Sequence, residues 1–150
     1  MNAEDAFAPT QDRSHFFASS AANAVLTQLE QGLVHESPIT VVTGEALVGK
    51  TWVLREACAR WGARVRAEWL EAHGTAPDAF LPAMIRAFDG HVSDTSTRSE
   101  RVAELVRALG RVAESEVTPV LILENTHTLP GEMLAELARI VSAAAAAKSK

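Results

Sequence analysis

Residues 44–51 have the sequence Gly44-Glu45-Ala46-Leu47-Val48-Gly49-Lys50-Thr51 and fit the pattern G-x-x-x-x-G-K-[ST] at every specified position. Backbone N–H groups of such a loop converge on phosphate oxygens, and the helix that follows adds its positive dipole end. Gly44 and Gly49 permit backbone angles and a close approach that a Cβ atom would block. Lys50 supplies a mobile charge for the terminal phosphates. Thr51 places a hydroxyl where Mg²⁺ lies between the last two phosphates, so the stretch predicts a nucleotide site.

The sequence on both sides of this phosphate loop favours the same interpretation. Ile39-Thr40-Val41-Val42 is a β-branched run between Pro38 and the loop, which is typical of a buried strand. Apolar residues at helical spacing from Lys50 to Arg60 predict a helix that ends at Gly62. A strand before the loop and a helix after it are the context that the motif requires. The predicted cofactor-binding residues are Gly44, Glu45, Ala46, Leu47, Val48, Gly49, Lys50, Thr51 and Trp52.

The order of elements along the chain predicts the fold class. Alternating residues at Arg64–Leu70 and the apolar run Val120–Leu123 predict two further strands, with helical patterns before, between and after them. We therefore expect an α/β three-layer sandwich with a small, mostly parallel sheet of three strands. The expected organisation is a flexible arm over 1–14, a nucleotide-binding domain over 15–142 and a frayed tail over 143–150.

Composition narrows the class of protein. The chain has 150 residues, enough for one domain, and 47% of them are hydrophobic, which is ordinary for a globular chain. The single Cys58 excludes an internal disulfide framework, and the five histidines lack zinc-ligand spacing. A net charge of −5 gives no indication of nucleic-acid binding. The acidic start lacks the features of a signal peptide, so the expected location is the cytoplasm.

The second apolar strand continues as Leu123-Glu124-Asn125-Thr126-His127-Thr128-Leu129, and here the chain resembles the AAA+ ATPases. It is most similar to the branch that holds general-secretion-pathway and transposition ATPases, whose pattern is four apolar residues followed by Asp-Glu-Ala-His-x-Leu. The apolar strand, His127 and Leu129 match that pattern, and His15-Phe16-Phe17 resembles the branch's opening segment. The resemblance spans nearly all of 14–141 and implies ATP and Mg²⁺ as ligands.

Two departures from this pattern bear on catalysis. Glu124 stands where the family has its Mg²⁺-associated Asp, so Thr51 and Glu124 form the implied metal set. Asn125 stands where the family has its catalytic Glu, and an amide cannot take a proton from water. Loss of a general base typically costs about 10²–10⁴-fold in rate. The implied catalytic pair, Glu124 and Asn125, is therefore degenerate, and rescue by His127 is the alternative.

The resemblance leaves several alternatives open. The family's third nucleotide strand, arginine finger and lid have no counterpart here, which predicts either a truncated module or a sheet in which Val120–Leu123 lies beside Ile39–Val42. The leading hypothesis is Mg-ATP binding with slow or absent hydrolysis. The alternative is a non-catalytic regulatory module that self-associates or assembles with related ATPase subunits. A small-molecule kinase would use the same loop, but the sequence shows no acceptor site.

Overall fold

The computed structural model describes residues 19–35, 37, 39–73 and 77–148, with residues 77 and 143–148 described as backbone only. The predictions for the 1–14 arm and for Phe16-Phe17 lie outside the described residues. The helices and strands are α1 (Ser20–Val34), α2 (Lys50–Trp61), β1 (Val65–Glu71), α3 (Pro77–Ala87), α4 (Arg98–Glu114), β2 (Thr118–Glu124) and α5 (Gly131–Lys148). Single turns of 3-10 helix lie at Gly62–Arg64 and Thr126–Thr128.

Side-chain caps determine where two of the helices begin. The Ser19 hydroxyl accepts a hydrogen bond from the backbone N–H of Ala22, in the first turn of α1. Gly32 is the kind of residue that often ends a helix, but α1 continues past it to Val34, because that glycine keeps helical backbone angles. Helix α4 begins at Arg98, because Thr97 and Glu100 form a reciprocal capping box just before and within its first turn.

Strands β1 and β2 form a parallel pair, and in the described part of the chain the sheet has these two strands. The register places Val65 opposite Thr118 and Glu71 opposite Glu124, so the two strands end together at one edge. A parallel pair needs a crossover connection, and helices α3 and α4 lie between the two strands in the chain. The predicted α/β class with a small parallel sheet is confirmed.

Helices cover both faces of this sheet and form two separate hydrophobic clusters. The first cluster involves α1, α2 and the face of the sheet that carries Val65 and Val120. The second involves α3, α4, α5 and the opposite face, which carries Leu70, Leu121 and Leu123. The alternation of side chains along a strand explains why neighbouring residues belong to different clusters. The result is a three-layer arrangement in which α2 lies on the same face as Val65 and Val120.

The segment Ile39–Val42 is not a strand, so the predicted third strand is wrong. No backbone group of residues 39–43 forms a hydrogen bond with another described residue, and a strand requires such partners. Val41 is 74% exposed and Ile39 is 47% exposed, while Val42 packs partly against the α1–α2 cluster. The alternative sheet in which Val120–Leu123 pairs with this segment is also wrong, because no backbone hydrogen bond joins the two in the described part of the chain.

Candidate functional site

The phosphate loop has the backbone that its glycines predict at the start of α2. Gly49 is the N-cap residue and adopts the left-handed conformation, with φ of 89° and ψ of 21°. Such a conformation favours glycine because a Cβ atom would be strained there. No described residue accepts a hydrogen bond from the backbone N–H groups of residues 45–51. These donors, together with the N-terminal end of α2, are therefore available to an anion.

The Lys50 side chain folds back over this loop. Its Nζ atom donates to the carbonyl oxygens of Gly44, at 2.9 Å, and Glu45, at 2.7 Å. These carbonyls are exposed on the loop surface, so the ammonium group is held beside the loop rather than extended into solvent. A positive charge is thus positioned next to the unpaired N–H groups.

Thr51 and Glu124 are in direct contact, although the loop and β2 are far apart in the chain. The Thr51 hydroxyl Oγ1 donates to Glu124 Oε1 at 2.5 Å, and both residues are partly buried. A hydroxyl and a carboxylate are hard oxygen donors of the kind that Mg²⁺ takes in proteins. The two residues implied as the metal set therefore lie together, and their chemistry fits that ion.

Asn125 follows β2 in the left-handed conformation, with φ of 55° and ψ of 35°. Asparagine is one of the few residues with a Cβ atom that visits this conformation readily. Its side-chain Nδ2 atom donates to both carboxylate oxygens of Glu71, at 3.0 and 3.1 Å. Asn125 is therefore held against the end of β1 and not against the phosphate loop.

Glu71 is a residue of this edge that the sequence reasoning missed. Its carboxylate also accepts a hydrogen bond from the backbone N–H of His73, at 3.0 Å. That N–H and, next, the amide of Asn125 hold the pKa of the Glu71 carboxyl below its ordinary value, which keeps it charged at neutral pH. The available signal was a carboxylate directly after the predicted strand Arg64–Leu70, because parallel strands end at the edge where ligands bind.

The other candidates are His127 and the tryptophans, and none of their side chains forms a hydrogen bond with Thr51 or Glu124 among the described residues. His127 is exposed in the 3-10 turn Thr126–Thr128, and its side chain forms no hydrogen bond with the loop or with Glu124 in the structure as described. Trp52 is partly buried in the first turn of α2. Packing in the core is the role that we expect for all three tryptophans, and it is confirmed for Trp61, which is 6% exposed in the α1–α2 cluster. Trp69 lies beneath the guanidinium of Arg55, 5.6 Å from the ring centre.

One further surface feature is a cavity outside this edge. This cavity of about 440 Å³ lies between α1 and α2, lined by Leu26, Val34, Ala57 and Arg60 among others and by no residue of the phosphate loop.

None of the helices in the described ranges has both the length and the apolar character needed to cross a bilayer.

Comparison with protein families gives a match to a family described as an AAA domain, over residues 34–150. The matched span includes the phosphate loop, both strands and the edge that carries Glu124. No curated protein and no solved structure gives a significant match to the chain.

Proposed function

Because the chain belongs to the AAA domain family, we propose that it binds Mg-ATP through residues 44–51 and hydrolyses it slowly. Membership of this family supports nucleotide binding. The preference for ATP, the magnesium ion and the low rate are parts of the proposal. The observation that carries it is the contact between Thr51, at the start of α2, and Glu124, at the end of β2.

Each residue has a distinct role in this proposal. The unpaired N–H groups of residues 45–51 bind phosphate oxygens, helped by the positive end of α2. Lys50 exchanges its two carbonyl partners for the terminal phosphates, which offer a stronger, charged acceptor. Thr51 would hold Mg²⁺ directly and Glu124 would hold it through water. When bound, the ion neutralises charge that develops on the phosphates.

The low rate follows from Asn125. An amide carries no basic lone pair that could accept a proton from the attacking water, so one contribution to the rate is absent at this position. Within the family we propose the branch of general-secretion-pathway and transposition ATPases. The support is the apolar strand followed by His127 and Leu129, in the pattern of that branch.

A fluorescent ATP analogue tests the binding step. We expect a dissociation constant in the micromolar range, about −8 kcal/mol, in the presence of Mg²⁺. Lys50→Ala should weaken binding at least about tenfold, because a charge-assisted contact to phosphate is lost. The control Arg107→Ala removes one positive charge from α4, on the other side of the sheet, and should leave the affinity unchanged.

Either of two results would contradict this proposal. One is a folded wild-type chain, checked by circular dichroism, that does not bind the analogue. The other is an affinity of Lys50→Ala equal to that of Arg107→Ala.

A second function, that of a non-catalytic interaction module, is favoured by the exposed segment Ile39–Val42. Its β-branched side chains, and backbone groups that have no hydrogen-bond partner among the described residues, are the features of a surface that pairs with another chain. In this case the protein assembles with its own copies or with related ATPase subunits. Size-exclusion chromatography with and without ATP tests the idea. A chain that elutes as a monomer both with and without ATP, and that binds no related subunit, would exclude this function.

A further inference from the structure

The carboxyl ends of β1 and β2 bring a second carboxylate to the edge where Glu124 lies. Glu71 is the residue of β1 that pairs in register with Glu124. Paired residues of a parallel ladder have their side chains on one face of the sheet. That face is the one covered by α2, as the packing of Val65 and Val120 shows. Glu71 therefore lies on the same face as the Thr51–Glu124 contact.

The hydrogen bonds at this edge show how the Glu71 carboxylate is held. Both of its oxygens accept from Nδ2 of Asn125, and one also accepts from the backbone N–H of His73. Asn125 in turn is fixed at the end of β2 by its carbonyl oxygen, which accepts from the N–H and the hydroxyl of Thr128. The amide of the residue directly after β2 thus holds the carboxylate of the last residue of β1.

We propose that Glu71 supplies from β1 the carboxylate that Asn125 lacks, and that Asn125 is the positioning residue that aims it. Glu71 is the catalytic residue that orients the attacking water and takes its proton. The inference rests on the proposed function, because it requires ATP in the phosphate loop. It deepens that function by assigning the turnover that remains to a side chain on the neighbouring strand.

The reaction assigned to this edge is the hydrolysis of ATP to ADP and phosphate. The oxygen of the attacking water forms a bond to the terminal phosphorus while the bond from that phosphorus to the bridging oxygen breaks. The electron pair of the broken bond leaves with ADP. One proton of the water passes to the Glu71 carboxylate, which returns it to solvent after phosphate departs. No oxidant, reductant or further reactant is required.

Glu71→Gln separates this role from binding. The glutamine keeps the size of the side chain but cannot accept the proton, so single-turnover hydrolysis should fall about 100-fold. Affinity for the fluorescent ATP analogue should stay within about twofold, because the hydrogen bonds that hold the Glu71 carboxylate come from Asn125 and His73, outside the phosphate loop. The matched control is Glu68→Gln on the opposite face of β1, which should keep the wild-type rate.

A second readout does not depend on activity. Aluminium fluoride with ADP mimics the transferring phosphate together with the aligned water, whereas ADP alone does not. Glu71→Gln should therefore lose about tenfold or more in affinity for ADP with aluminium fluoride and none for ADP. Equal losses for both ligands would mean a structural role and would overturn the inference.

The decisive variant exchanges the two side chains. Glu71→Asn combined with Asn125→Glu keeps one carboxylate and one amide at the edge, so hydrolysis should return to at least the wild-type rate. Glu71→Asn alone should be inactive.

A wild-type chain that binds the analogue but never hydrolyses ATP overturns this inference and leaves the proposal of nucleotide binding unaffected. A chain that does not bind the analogue removes both. An exchanged variant that binds the analogue but is no faster than Glu71→Asn also overturns the assignment to Glu71.

Discussion

Removing the Thr51–Glu124 contact should loosen the phosphate-loop helix from the sheet even when no nucleotide is present. The contact joins the first turn of α2 to the last residue of β2, across 73 positions of the chain. Hydrogen bonds to charged groups contribute about 1.5–3 kcal/mol to folding. Both residues are partly exposed, so water replaces some of the lost contact and the lower end of the range applies.

Thr51→Val is the direct perturbation, because it removes the hydroxyl and keeps the branched shape. We expect it to lower the free energy of unfolding by about 1.5 kcal/mol. For 150 residues this corresponds to a fall of roughly 3–6 °C in the melting temperature. Thr51→Ser keeps the donor and serves as the matched control, with a much smaller loss.

A double-mutant cycle isolates the contact itself. Urea unfolding at neutral pH, with a chelator present to remove metal, is measured for the wild type, Thr51→Val, Glu124→Gln and the double variant. The coupling energy should be about 1 kcal/mol. A coupling energy within about 0.3 kcal/mol of zero would refute the reasoning, since independent sites add within that error.

Two further predictions concern the fold. Leu105 on α4 is fully buried in the cluster that α3, α4 and α5 form with the sheet. Leu105→Ala should therefore lower the free energy of unfolding, measured in urea, by about 2–5 kcal/mol. A decrease below about 1 kcal/mol would contradict that packing. Glu104 is bonded to Arg107 and then Arg111, which hold the pKa of its carboxyl below the ordinary value. A carboxyl with a lowered pKa stabilises the fold fully above its unfolded pKa, near 4.3, and that stability is lost as the pH falls through the lowered value. Between about pH 5 and pH 3 the melting temperature of Glu104→Gln should therefore fall less than that of the wild type. Parallel curves would be evidence against the Arg107 and Arg111 pairing.

Much of the fold follows from local sequence pattern. The phosphate-loop motif predicts the start of α2 at Lys50, and the glycine after Trp61 ends that helix as expected. The predicted strand Arg64–Leu70 corresponds to β1, shifted by one residue, and Val120–Leu123 lies within β2. These features depend on residues a few positions apart, so hydrophobic periodicity and the glycines and prolines that end helices and strands are sufficient to predict them. The pairing of Thr51 with Glu124 was implied by resemblance and not by spacing.

Strand pairing depends on partners that are distant in the chain. Ile39–Val42 has the composition of a buried strand, yet its backbone has no partner among the described residues and its side chains are largely exposed. Composition shows that a segment is able to pair, but only the folded chain supplies the hydrogen-bonding partner. The same reason explains why the register of β1 and β2 could not be predicted from either strand alone.

The sequence by itself determined the phosphate-loop motif with its lysine and threonine, and the amide at position 125. Each of these can be recognised within a short run of consecutive residues. The contact that this amide makes was decided by the tertiary structure. Asn125 donates to Glu71, which lies 54 positions away in the chain, and the two meet because the parallel strands β1 and β2 end at one edge. Whether the edge carries a second carboxylate beside the proposed nucleotide site is thus a question of strand register. Register is decided by the packing of two strands between layers of helices, which no single segment encodes.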